Sequence, residues 1–138
     1  MPEETVGLDT SVVLRILTGE PESQARATRD FIRTSVHQGK RTVISDLVIS
    51  EAYFALVTHY GVSKREAVNG LLEMLERGVV HPCKGACALE VLRAMKSSGQ
   101  KPGLVDRLIH AHYASLPAGM ATFEKASRKP AGALLLAE

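Results

Sequence analysis

Three carboxylates in this 138-residue chain, those of Asp9, Glu51 and Asp106, lie in apolar stretches of the sequence rather than in plainly polar ones. If the fold brought them together, like-charge repulsion would raise the energy of the site, and a divalent cation would relieve it. Carboxylate oxygens suit Mg²⁺ or Mn²⁺, and such an ion polarises phosphoryl oxygens and activates water. The pattern therefore predicts a metal-dependent site that hydrolyses phosphodiesters.

Asp9 directly follows residues 6–8, Val-Gly-Leu, which we expect to form a short buried strand. Ligand sites of open parallel sheets lie beyond the carboxyl ends of the strands, so this is a favourable position for a functional acid. An ionised carboxylate in a low-dielectric site needs a cation, a donor or a metal. The alternative is that Asp9, followed by Thr10 and Ser11, is simply the N-cap of the next helix.

Glu51 and Asp106 both fall within predicted helices. The positions one turn before and after Glu51 are apolar, which is a poor place for a solvated carboxylate, although a glutamate at the edge of an apolar stripe can extend into water. Asp106 comes about one turn into its helix, where the helix dipole favours an anion. That is also an ordinary position for an acid, but the aliphatic residues around it predict partial burial.

The elements that would position these residues alternate between short strands and helices. Strands are predicted over 4–8, 41–45, 79–82 and 118–123, with another near 134–136, and helices over 11–18, 21–38, 46–60, 64–77, 87–95 and 104–116. Ser63 and Glu66 have the spacing of a capping box. Such alternation implies parallel β-α units, so we predict one α/β domain over residues 1–138 with a small parallel sheet.

The composition is typical of a soluble globular protein rather than a disordered or membrane-spanning one. Apolar residues make up 45% and charged residues 23% of the chain, and the net charge of +2 permits a nucleic-acid partner without requiring one. No apolar run approaches the roughly 18 residues of a membrane helix, and the N-terminal residues lack a signal-peptide pattern. We therefore expect a cytoplasmic protein without membrane association. Cys83 and Cys87 have no second pair to complete a zinc site and are predicted to be buried free thiols.

Four segments together resemble the PIN domain, and most closely the VapC-type toxins of bacterial toxin–antitoxin pairs. They are GLDTSVVLRIL (7–17), ISDLVISEAYFAL (44–56), LVDRLIHAHYA (104–114) and MATFEK (120–125). The resemblance extends over essentially the whole chain. It implies a three-layer α/β/α fold with a small central parallel sheet, and an endoribonuclease that depends on Mg²⁺ or Mn²⁺.

The resemblance also assigns roles to site residues. It implies that Asp9, Glu51 and Asp106 are the three catalytic acids, with Asp9 and Asp106 as the main metal ligands. Glu124 stands where the family commonly has Asp, and its extra methylene extends the carboxylate by about 1.5 Å. We expect Glu124 to be the fourth catalytic acid.

Two hydroxyl residues, Ser11 and Thr122, match positions that would lie beside the substrate. If the fold brings them near the acids, Lys101, Arg107, Lys125, Arg128 and Lys129 would meet RNA phosphates. The alternative, favoured for any single one of them, is an ordinary solvated surface residue. The family further implies a cognate antitoxin that blocks the acidic site, and commonly a homodimer of the toxin. The alternative function is a PIN-fold module that binds RNA or protein with weak or no nuclease activity.

Overall fold

The computed structural model describes residues 4–124 and 132–137. Within these residues, six helices and five short strands follow one another in the α/β order that the sequence predicts. They are β1 (Thr5–Gly7), α1 (Thr10–Thr18), α2 (Glu22–His37), β2 (Arg41–Ile44), α3 (Asp46–Thr58), α4 (Lys64–Glu76), β3 (Val80–Pro82), α5 (Ala88–Ser98), α6 (Leu104–Tyr113), β4 (Ala121–Thr122) and β5 (Leu134–Leu135). The predicted helices are confirmed, with ends that shift by no more than one turn.

Strand β2 lies at the centre of a three-stranded parallel sheet, between β1 and β3. Backbone hydrogen bonds continue this ladder past the strand ends, from the Leu8 N–H to the Val43 carbonyl (2.9 Å) and from the Cys83 N–H to the Ile44 carbonyl (2.8 Å). Since all three strands are parallel, their carboxyl ends share one edge of the sheet. The residues that follow the strands, Asp9 among them, therefore lie along that edge.

The two remaining strands pair in parallel with each other, Ala121 with Leu134 and Thr122 with Leu135. Within the described residues they form a separate two-stranded sheet. The strands themselves were predicted, but the expectation of one common sheet is not met. Each strand has only two residues in register, too few for periodicity to indicate the partner.

Polar caps begin several helices. The Ser45 hydroxyl accepts a hydrogen bond from the Val48 N–H (3.2 Å) at the start of α3, and the Ser63 hydroxyl accepts one from the Glu66 N–H (3.1 Å) at the start of α4. The predicted cap at Ser63 is thereby confirmed. Each cap provides an acceptor for an N–H group that has no partner within its helix.

The apolar faces of the helices and the central strand meet in one core. Its completely buried residues include Val13, Ile44, Ile49, Leu71, Leu92 and Leu104. Helix α1 packs against α2 and α3, and α3 packs against α4 and α6. The result is the predicted three-layer α/β/α architecture. No helix within the described ranges is both long and apolar enough to cross a membrane.

The prediction of a buried first strand is wrong in detail. Val6 is half-buried and Gly7 is exposed, and only Leu8, just past the strand, lies in the core. In the described sheet β1 is an outer strand that pairs with β2 on one side. Its other side is therefore more exposed to solvent. Asp9 therefore follows a partly exposed strand rather than a buried one.

Candidate active site

Asp9 is the N-cap of α1 at the carboxyl edge of the sheet. Its Oδ1 accepts hydrogen bonds from the Ser11 hydroxyl (2.7 Å) and from the Val12 N–H (3.2 Å). The capping interpretation is therefore confirmed. Both hydrogen bonds end on Oδ1, so Oδ2 is the oxygen that Asp9 can offer to a ligand.

These hydrogen bonds favour the ionised carboxylate. The Ser11 hydroxyl is the largest cause that lowers the pKa of Asp9 below its ordinary value, and the backbone N–H groups of Val12 and Ser11 add to the effect. Burial acts in the opposite direction but is outweighed, because the side chain is exposed. The charge on Asp9 is thus stabilised by helix-terminus donors rather than by a neighbouring cation.

Glu51, on α3, is connected to the first turn of α1. The Thr10 hydroxyl donates a hydrogen bond to Glu51 Oε1 (2.9 Å), although the two residues are 41 apart in the chain. Because Thr10 follows Asp9 directly, this contact brings the Glu51 carboxylate to the same end of α1 as Asp9. The hydroxyl of the residue next to Asp9 therefore holds the second predicted acid.

The helix face around Glu51 is apolar, as predicted, but it is open to solvent. Leu47 is 78% exposed and Phe54 is 53% exposed, and Glu51 is exposed as well. The inference that this carboxylate is poorly solvated is therefore wrong. The apolar residues that α3 buries, such as Ile49 and Ala52, lie on its opposite side.

Asp106 lies in the first turn of α6, which packs against α3 and α5. Leu104 and Leu108 face the core, and the 3.6-residue period leaves Asp106 between them on the solvent side. The prediction that it is partly buried is wrong. In the part of the chain that the structure describes, no hydrogen bond or ion pair involves its carboxylate, and its role as a metal ligand stays a prediction.

Thr122 and Glu124 belong to the segment at β4. The Thr122 hydroxyl accepts a hydrogen bond from the Glu124 N–H (3.0 Å), and the Glu124 side chain is exposed. Among the described residues, no hydrogen bond joins either of them to Asp9, Glu51 or Asp106. Their predicted places in the site therefore stay predictions.

The donor set fits a hard divalent cation in part. Asp9 and Glu51 offer carboxylate oxygens at one end of α1, and Mg²⁺ is commonly bound through one or two carboxylates while it keeps several waters. Over residues 4–124 and 132–137, no group of three or more Asp, Glu, His or Cys side chains is arranged to hold a metal ion. Asp9 and Glu51 thus offer two carboxylates to a cation, and direct ligation by Asp106 stays a prediction.

Of the basic residues predicted to meet phosphates, Arg107 is engaged elsewhere. Its guanidinium donates to the Pro102 carbonyl (2.7 Å), the Ser98 hydroxyl (2.9 Å) and the carbonyls of Gly99 and Lys101 (both 3.2 Å). The cation therefore holds the loop between α5 and α6 together and is not available to substrate. Lys101 is exposed, and Lys125, Arg128 and Lys129 lie outside the described residues.

The two cysteines are free, as predicted, but each is only half-buried. Burial raises the pKa of the Cys87 thiol, and the carboxylates of Asp46 and Glu90 raise it further. A protonated thiol is a poor nucleophile. Cys87 is accordingly not a candidate for covalent catalysis.

Two residues near the site were not singled out from the sequence. Thr10 orients Glu51, and Asp46 accepts hydrogen bonds from the N–H groups of Cys87 (2.9 Å) and Ala88 (3.0 Å) at the start of α5. Asp46 reads in the sequence as an ordinary first-turn acid of α3. Its partners are more than 40 residues away, so no local pattern could have indicated them.

Comparison with known protein families gives one match. The family model described as the PIN domain matches residues 6–132 and so includes Asp9, Glu51, Asp106 and Glu124. Searches of curated proteins and of solved structures give no match.

Proposed function

Because this chain belongs to the PIN domain family, whose fold is of the nuclease type, we propose that it is a divalent-metal-dependent endoribonuclease. We further propose that it is the toxin of a type II toxin–antitoxin pair. One observation carries the proposal: the ionised carboxylate of Asp9 lies at the carboxyl edge of the sheet, and the hydroxyl of the next residue, Thr10, donates a hydrogen bond to Glu51.

In this proposal, Asp9 and Glu51 hold Mg²⁺ or Mn²⁺, and Asp106 on α6 completes the acidic site. The ion, when bound, supplies polarisation of a phosphoryl oxygen and activation of water. Ser11 fixes the Asp9 carboxylate through their 2.7 Å hydrogen bond, which leaves Oδ2 for the ion. Thr10 does the same for Glu51 and keeps its carboxylate beside α1.

Thr122 and Glu124 are proposed to approach the substrate from the β4 segment. Both lie on the polypeptide after α6, and Glu124 is exposed. Its carboxylate, one methylene longer than that of Asp, would act through a water rather than as a direct ligand.

The surface around these acids supports an antitoxin partner. Leu47 (78% exposed) and Phe54 (53%) flank Glu51 on α3, and Ile109 (45%) lies near Asp106 on α6. An exposed face that combines apolar side chains with carboxylates is complementary to a cationic amphipathic segment. A cognate antitoxin that covers this face would block the acidic site, and a homodimer of the toxin stays a prediction.

The test compares cleavage of single-stranded RNA by the wild-type chain and by Asp9→Asn, with Mg²⁺, with Mn²⁺ and with EDTA. Asn is as good an N-cap as Asp, so this substitution removes the charge and preserves the start of α1. A bound metal supplies several kcal/mol of transition-state stabilisation, so we expect Asp9→Asn to lower kcat by about two orders of magnitude or more.

Asp30→Asn is the matched control, because Asp30 is an exposed aspartate on α2 whose 3.4 Å pair with Arg33 lies on the surface. It should leave cleavage unchanged. Equal cleavage by the wild-type chain and Asp9→Asn would exclude the proposed nuclease site. Absence of cleavage by the wild-type chain would favour a PIN-fold module that binds RNA or protein.

A further inference from the structure

Most cationic side chains of the described residues are engaged. Arg15 donates to Gln24, Arg107 to its loop, and other arginines to acids on α2 and α4. The cations that make no hydrogen bond or ion pair within residues 4–124 and 132–137 are Arg41, Lys64, Arg65, Lys84, Lys96 and Lys101. None of these side chains would have to give up a hydrogen bond or ion pair of the described residues to bind a phosphate group.

Lys84 differs from the others in its place in the fold. It follows the last residue of β3 by two positions, and Asp9 follows the last residue of β1 by two positions. The parallel registers put both at the same edge of the sheet, separated by β2. Since neighbouring strands are about 4.8 Å apart, the two backbone positions are roughly 10 Å apart along this edge.

The loop that carries Lys84 is held at both ends. The Cys83 N–H donates to a β2 carbonyl (2.8 Å), and the Cys87 and Ala88 N–H groups donate to the Asp46 carboxylate. The Cys87 and Ala88 amides at the start of α5 already donate to Asp46, so they are not free to bind a phosphate. The positive group that this loop can offer to a phosphate is therefore the Lys84 ammonium. Its ammonium is exposed and held on a fixed backbone.

The other unengaged cations lie away from this edge, with one exception. Arg41 begins β2 at the opposite edge, and Lys64 and Arg65 come after α3, whose 13 residues span about 20 Å. Lys96 is in the last turn of α5, about 12 Å from the start of that helix. The exception is Lys101, which precedes α6 and was already expected from the sequence to meet phosphates.

We propose that Lys84 binds a backbone phosphate of the RNA substrate at a distance from the scissile one, so that the strand lies along the carboxyl edge from Asp9 across β2 to the β3–α5 loop. This inference rests on the proposed nuclease function. Lys84 is a positioning residue: it draws the polyanion across an edge where Asp9 and Glu51 would otherwise repel it.

The test measures equilibrium binding of a fluorescently labelled single-stranded RNA to the full chain in EDTA over a series of salt concentrations. One phosphate contact contributes about 0.7 to the slope of log K against log salt for a single strand. We expect Lys84→Ala to reduce that slope by about 0.7 and to weaken binding by roughly threefold or more at low salt. In cleavage assays KM should rise by the same factor while kcat stays within about twofold.

Lys96→Ala is the matched control, since it removes the same charge from an exposed lysine of α5. It should leave binding near wild type, and Lys84→Arg should restore most of the affinity. Equal weakening by Lys84→Ala and Lys96→Ala would show a delocalised charge effect and overturn the proposal, as would an unchanged slope for Lys84→Ala.

A DNA strand of the same sequence separates a phosphate contact from a contact to the 2′-hydroxyl. Equal loss on both strands supports the phosphate, and loss on RNA alone overturns it. The Lys84 proposal fails while the proposed nuclease function holds if Asp9→Asn abolishes cleavage but Lys84→Ala changes neither RNA binding nor KM. If the wild-type chain binds RNA through Lys84 but does not cleave it, the proposed nuclease function is wrong and the proposed Lys84 contact still holds.

Discussion

Asp9 combines an observed structural role with a proposed catalytic one. It caps α1 through Oδ1, and it is the acid around which the proposed site is built. The two roles are compatible because a carboxylate has two oxygens, and the donors that cap the helix also keep the group ionised. The same short stretch, Asp9-Thr10-Ser11, indicated both the N-cap and the candidate catalytic acid in the sequence. The hydrogen bonds of Thr10 and Ser11 explain how one residue can serve as both.

Ser11→Ala is expected to raise the pKa of Asp9 toward its ordinary value, because it removes the hydrogen bond that lowers this pKa most. The stability that ionised Asp9 contributes is complete above the ordinary aspartate pKa and is lost as the pH falls through the lowered one. In Ser11→Ala this contribution should be smaller, and its loss should be complete at a higher pH than in the wild-type chain. The carboxyl carbon shift of Asp9, followed by NMR over a pH titration, measures the change directly.

The same substitution should move the acid limb of the pH–rate profile for RNA cleavage to higher pH by a similar amount. Ser23→Ala is a suitable control, since Ser23 is an exposed serine near the start of α2. An Asp9 titration identical in wild type and Ser11→Ala would contradict this account of the hydrogen bond.

At the scale of elements, local patterns in the sequence predict the helices well and their mutual contacts poorly. The capping serines at 45 and 63 and the 3.6-residue apolar periods are local signals, and the structure confirms the helices they indicate. From the sequence alone, Arg107 beside Asp106 is either a phosphate ligand or an ordinary solvated residue. In the structure its guanidinium donates hydrogen bonds to four acceptors at the loop between α5 and α6. The shape of that loop depends on tertiary packing, which a short stretch of sequence does not reveal.

Arg107→Ala is expected to destabilise the protein by about 2 kcal/mol, because charged hydrogen bonds to loop carbonyls are lost. Arg107→Lys should recover only part of this, since an ammonium lacks the planar set of donors. Urea unfolding measures both. Arg93→Ala removes an exposed 3.6 Å ion pair with Glu76 and should cost less than about 1 kcal/mol. Equal losses for Arg107→Ala and Arg93→Ala would show that the loop contacts contribute little.

At the scale of the whole molecule, the carboxylates lie on an exposed surface over a completely buried core. The fold class was predictable because hydrophobic periodicity determines which faces are buried. The exposure of Glu51 and Asp106 was not, because an apolar neighbour in sequence can itself face solvent, as Leu47 does. Apolar surroundings in the sequence therefore predicted the solvation of Glu51 and Asp106 incorrectly, and their place in a common site stays a prediction.

Leu92→Ala is expected to lower the free energy of unfolding by about 2–5 kcal/mol, since Leu92 on α5 is completely buried and truncation leaves a cavity. Leu47→Ala, at a residue that is 78% exposed, should change it by less than about 0.5 kcal/mol. Chemical denaturation of the two variants makes the comparison. A large loss for Leu47→Ala would indicate that this face is covered in solution.

Asp46 begins one helix and caps another through its side chain. It is the first residue of α3, and its carboxylate replaces the missing acceptors for the amides of Cys87 and Ala88 at the start of α5. Amide protons in the first turn of a helix ordinarily exchange with water sooner than those further along. Here the first turn of α5 is anchored by a carboxylate from another helix, so its amide protons should exchange about as slowly as those in the middle of α5.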